Sequence, residues 1–112
     1  MTESDWKKFT KLKQQALNIY CQQVLDKAHE LTLNKAITAH DRYLQLYQHI
    51  DKADSKLASI FDGHSRSNAP AQLMFIRAHN LADTTLLAEL SESFLTASDP
   101  EHYRQWHGLG SK

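Results

Sequence analysis

At 112 residues the chain has the length of one domain, and a chain of this size buries about two-thirds of its unfolded surface in one core without needing disulfides or metal. Apolar residues make up 41% and charged residues 23%, while only three Gly and two Pro argue against a turn-rich β architecture and leave helix as the default. Thirteen basic side chains balance thirteen acidic ones, which excludes a global field drawing the molecule toward nucleic acid or an anionic membrane.

The first expected helix starts near Thr2 or Ser4, either of which can cap free amides, with Glu3 and Asp5 offsetting the partial positive charge of the helix start. Its apolar stripe runs Phe9, Leu12, Ala16, Tyr20, Val24, Ala28, Leu31, thickened by Trp6, Leu17, Cys21 and Leu25. Cys21 lies on that stripe and reads as a small packed hydrophobe. No Gly or Pro occurs before Gly63, so the helix end must be inferred. Residues 31–34 are the candidate break, because Thr32 and Asn34 favour caps over helix interiors. A turn there makes an antiparallel hairpin. The alternative is one continuous rod, which would need dimerisation to cover its seam.

Residues 36–61 carry the strongest pattern in the chain. Ala36, Ala39, Tyr43, Leu46, Ile50, Ala53, Leu57 and Ile60 follow at alternating steps of three and four, a seam that only another apolar surface can satisfy. Leu44, Tyr47, Ala58 and Phe61 widen it, so the segment reads as the core helix around which the bundle is arranged, with Tyr43 in the core. Asp62 and Gly63 end it, since Gly tolerates the left-handed conformation just past a helix. A polar loop follows, and Ser67 or Asn68 can cap a third helix with Pro70 in its first turn. Leu73, Met74, Phe75 and Ile76 are consecutive there and should be covered on several sides, with Arg77 and His79 reaching solvent. Residues 80–85 read as a turn, with Asp83 or Thr84 capping a fourth helix that carries Leu86, Leu87, Leu90, Phe94 and Leu95. Asp99 and Pro100 restart a brief last helix bearing Tyr103 and Trp106, before residues 108–112 fray. The fold class is thus all-α: a bundle built on a long antiparallel hairpin (about 4–31 and 34–61), covered by two or three shorter helices (about 69–79, 84–96 and 100–107), in one domain over 1–112.

Charge is segregated. Between Asp5 and Asp26 the only charges are Lys7, Lys8, Lys11 and Lys13, and between Arg77 and Arg104 all are acidic, so the two ends are expected to meet within one chain or across a dimer. A lone cysteine and no signal-like apolar segment at the start point to a cytoplasmic protein, and no run approaches a bilayer span.

Motifs for catalysis are lacking. The seven histidines include no pair at three or four residues, and there is no HExxH or repeated ExxH, so no metal or other cofactor is expected; a metal-dependent activity using some of these histidines stands as an alternative. His64 beside Ser65 makes no nucleophilic site by adjacency alone. Lys7, Lys8 and Lys11, interleaved with Trp6 and Phe9, offer a nucleic-acid-binding alternative, set against the reading that both aromatics belong to the buried stripe. The preferred function is a non-catalytic protein-interaction or adaptor module that self-associates as a homodimer. Its candidate contacts are His64 and Arg66 in the polar loop, where an imidazole and a planar donor fork could engage a carboxylate or phosphate, and Tyr103 and Trp106 near the end.

Overall fold

The computed structural model describes residues 1–101. Five helices follow in order: α1 (Glu3–Leu33), α2 (Ala39–Phe61), α3 (Ala69–Ala78), α4 (Thr84–Ala88) and α5 (Glu92–Ala97), with no strand among the described residues. This is an all-α bundle on an antiparallel hairpin. No helix among them is long and apolar enough to cross a membrane.

Local chemistry sets the helix starts. The Thr2 hydroxyl accepts the Asp5 amide at 3.0 Å, the Thr38 hydroxyl accepts that of Asp41 at 3.1 Å, and one Asp83 carboxylate oxygen accepts the amides of Thr85 and Leu86. The hairpin break differs from expectation. α1 continues through Leu33 and α2 begins five residues beyond Asn34, because Thr38 supplies the cap and Asn34 turns its carboxamide oxygen to the Ala36 amide. Ala36 therefore lies in the turn and drops out of the seam. Arg42 ties the turn down by donating to the carbonyls of Asn34 and Ile37.

Gly63 takes φ +81 past the end of α2, and Pro70 sits in the first turn of α3. Asn68 holds the cap position of α3 without making a side-chain cap bond. At the other end of α3, Asn80 at φ 57 lets its own amide bond the Arg77 carbonyl and the Leu81 amide bond the Ile76 carbonyl. That closure drives Leu81 into the core at 2% exposure.

The expected helix over 84–96 is two short ones. Ser91 caps α5 by accepting the Phe94 amide, while its own amide and hydroxyl donate to the Asp5 carboxylate across the fold, so the chain cannot run helically through this residue. Pro100 opens the restart, and the Glu101 amide bonds the Asp99 carboxylate.

The core is not arranged around residues 36–61. It gathers on the first half of α1, where Phe9, Leu12, Ala16 and Tyr20 meet Ile60, Phe61, Leu73, Ile76, Leu81, Leu90 and Phe94. Phe9 packs edge-on against Phe94 with centroids 5.8 Å apart. Within α2 only Ile60 and Phe61 are buried, and Tyr43 is 65% exposed. The reason is length: α3 covers about 15 Å, whereas α2 runs about 34 Å, and α3, α4 and α5 all pack at the end where α1 begins.

Arg77 also departs from expectation. Instead of reaching solvent it donates to the Leu95 carbonyl at 2.8 Å and to the hydroxyl of fully buried Ser98 at 3.0 Å, fastening α3 to the end of α5. The basic and acidic ends do meet within the chain, though through backbone and hydroxyl partners: Lys8 Nζ donates to the Glu89 carbonyl, and Asp5 takes Ser91.

Candidate association surface

Among the described residues, the half of the hairpin farthest from α3 is packed only helix against helix. Its register is pinned by two bonds, Tyr20 Oη donating to the Ala53 carbonyl at 2.8 Å and His49 Nε2 donating to the Val24 carbonyl at 2.9 Å. Burial, with the nearby negative charge of Asp54, raises the Tyr20 phenol above its ordinary value, so it stays a donor. Those contacts use the facing sides of both helices. No other described element packs on one flank.

Along that flank α1 presents Leu17, Cys21 and Leu25, and α2 presents Tyr43, Tyr47 and Ile50, spacings of three and four that keep each set on one side of its helix. Tyr43, Tyr47, Leu25 and Ile50 are 65, 64, 59 and 43% exposed. Between the helices runs a shallow groove of about 200 Å³ lined by Cys21, Val24, Leu25, Ile50, Ala53 and Leu57, with Asp54 its one acid. The opposite side of the same hairpin carries a second recess, lined by Tyr20, Val24 and Ala53 together with Gln23, His49, Lys52 and Lys56. Leu44 and Leu33 are exposed as well. Aromatic enrichment with few charges is how the centre of a protein interface is composed.

The loop residues are engaged elsewhere. His64 lies against Trp6 with centroids 4.5 Å apart and against Phe9 at 6.1 Å. Lys13 Nζ donates to the Gly63 carbonyl at 2.6 Å and approaches His64 Nδ1 at 3.2 Å, so the imidazole proton belongs on Nε2, which meets the Thr10 hydroxyl at 3.2 Å; that hydroxyl in turn donates to the Trp6 carbonyl. Desolvation and then the Lys13 charge hold His64 below its ordinary value, and desolvation lowers Lys13 against the opposing pull of Asp62. Arg66 donates to Glu3 Oε1 at 2.7 Å and lies 5.3 Å from the Trp6 ring centroid. His64 and Arg66 thus fasten the loop to α1, and His64 lies beside Leu17 at one end of the apolar flank. Tyr103 and Trp106 lie outside the described residues.

Lys7 and Lys11 are exposed, but Lys8 and Lys13 are committed to carbonyls. Phe9 is fully buried and Trp6 is covered by His64 and Arg66, so the interleaved aromatics do not form a stacking platform with the lysines. Among the described residues no group of three or more His, Cys, Asp or Glu is placed to hold a metal ion; His49 and His79 each bond a backbone carbonyl of their own hairpin or helix.

The sequence pointed to this seam but placed it inside the fold. The overlooked signal was that the short helices cannot reach along it. No protein-family model matches the chain, and neither a curated protein nor a solved structure is significantly similar to it.

Proposed function

We propose that the protein is a non-catalytic association module: a folded head formed by the start of α1, the end of α2 and α3–α5, presenting the far half of the hairpin as its contact surface. The observation that carries this reading is the bare apolar flank, in which two tyrosines, two leucines and an isoleucine stand exposed along adjoining helices. Scattered apolar residues are ordinary on any surface, but a contiguous stripe around a groove is costly in water unless a partner covers it. Tyrosines also concentrate binding energy where they become desolvated. A cytoplasmic setting belongs to the proposal, supported by Cys21 as a free thiol without a disulfide partner.

The test is capture of protein partners by immobilised full-length chain, compared with Tyr43→Lys and Tyr47→Lys variants. Both residues are mostly solvent-exposed, so the circular-dichroism spectrum should be unchanged while capture is lost. Equal capture by all three proteins would remove the hairpin flank as the contact surface.

A further inference from the structure

We infer that the occupant of the apolar flank is a second copy of this chain, packed antiparallel about a two-fold axis that crosses the hairpin at Cys21, so that two hairpins close into a four-helix bundle with the heads at opposite ends. This rests on the association reading above and adds the partner and its orientation.

The spacing of the flank carries the argument. The two register bonds put Tyr20 level with Ala53 and Val24 level with His49, so Cys21 is level with the interval between Ile50 and Asp54. An axis across both helices at that level stacks α1 on the partner's α1 and α2 on the partner's α2, each reversed. Leu17 then falls opposite the partner's Leu25, Cys21 opposite its own copy, and Tyr47 opposite the partner's Leu57. Leu17, Leu25, Cys21 and Tyr47 thus each meet an apolar group of the second copy, the self-complementarity a two-fold interface requires. Ile50 falls opposite the partner's Asp54, and the Tyr47 hydroxyl one turn away is a donor for that carboxylate.

Area and charge agree with this choice. With about 150–250 Å² for an aromatic side chain, the exposed fractions of Tyr43, Tyr47, Leu17, Leu25 and Ile50 offer roughly 500 Å² per copy, and two such faces reach the roughly 1,000 Å² of a specific interface. The chain has no net charge, and the groove in its flank is lined by a single acid, so like faces approach with little repulsion while a strongly charged partner finds little to engage. The parallel alternative sets the two heads side by side, bringing Lys7 and Lys11 of both copies together at one end. Antiparallel packing keeps those cations apart.

The native cysteine reports the geometry. Sedimentation of the full chain at micromolar concentrations should give twice the monomer mass, and a short bis-maleimide should join Cys21 to Cys21 and yield a band at that mass. Ile50→Asp and Tyr47→Lys should each weaken dimerisation by at least about tenfold with the helical spectrum retained. A dimer that these substitutions weaken but whose Cys21 thiols do not link overturns the antiparallel pairing and leaves the association reading standing. A strict monomer overturns the second copy as occupant, and the association reading is then judged by the capture experiment alone. A dimer indifferent to both substitutions overturns the flank as its interface.

Discussion

The two ends of the hairpin are made from the same two helices, with similar apolar periodicity, yet they have opposite fates. At the head, α1 contributes Phe9, Leu12 and Ala16 at 0–1% exposure, because helices α3–α5 close over it. Toward the turn, Leu25, Tyr43 and Tyr47 stay more than half exposed, because a two-helix layer can bury only the sides that face each other. The head is further held by contacts between residues far apart in the chain. Asp5 takes both the amide and the hydroxyl of Ser91, at 2.9 and 2.5 Å, and Arg66 reaches Glu3. The lesson is that an apolar stripe reports a demand for cover. Whether the chain itself meets that demand depends on where its other elements land.

Predictions follow the same division. Phe9→Ala should be the most damaging change, removing a fully buried ring from the head and costing about 3–5 kcal/mol, read as a loss of urea stability or outright unfolding. Asp5→Ala leaves the Ser91 amide and hydroxyl without their acceptor and should cost about 1–3 kcal/mol by the same measurement. Desolvation alone would raise the Asp5 carboxyl, but the Ser91 hydroxyl and amide, the Thr2 side chain and the Lys8 charge outweigh it and hold it below its ordinary 3.8. Because the folded value is depressed, this contribution is complete above about pH 4 and is lost as the pH falls through the folded value. Asp5→Asn should flatten that acid limb.

Smaller effects are expected where the loop meets α1. Arg66→Ala removes a half-exposed ion pair and the guanidinium beside Trp6, and should cost no more than about 1 kcal/mol. His64 is depressed from 6.5, so its neutral form favours the folded state; stability is full above that pH and declines as the pH drops below it, since an imidazolium can no longer accept from Lys13. Melting temperatures recorded from pH 7.5 down to 5 should show this slope in the native chain and a shallower one in His64→Gln. Smallest of all for the fold is Tyr47→Lys, within about 0.5 kcal/mol when measured on dilute protein, although it should abolish association. A large stability loss there would show that the far half of the hairpin shares the head's cooperativity and would dissolve the contrast between them.

Local chemistry was legible from the sequence by itself. Thr2 and Asp83 as caps, Gly63 and Pro70 at the boundaries of the loop, the restart at Asp99 and the all-α class depend on side chains within a few residues of the backbone they satisfy. The stripe on α1 was also visible, and so was the seam on α2. Tertiary structure alone decided which parts of them are core. Tyr43 and Phe61 share one periodic pattern, but only Phe61 lies within reach of α1 and α3, and periodicity records the side of a helix without recording what stands opposite. The same holds for Ser91, whose bond to Asp5 spans 86 positions and splits one expected helix into α4 and α5. It holds too for His64 and Arg66, which read as free loop groups until Trp6, Thr10 and Lys13 were brought beneath them. Pairings across such distances follow from chain topology, and no local spacing of residues encodes them.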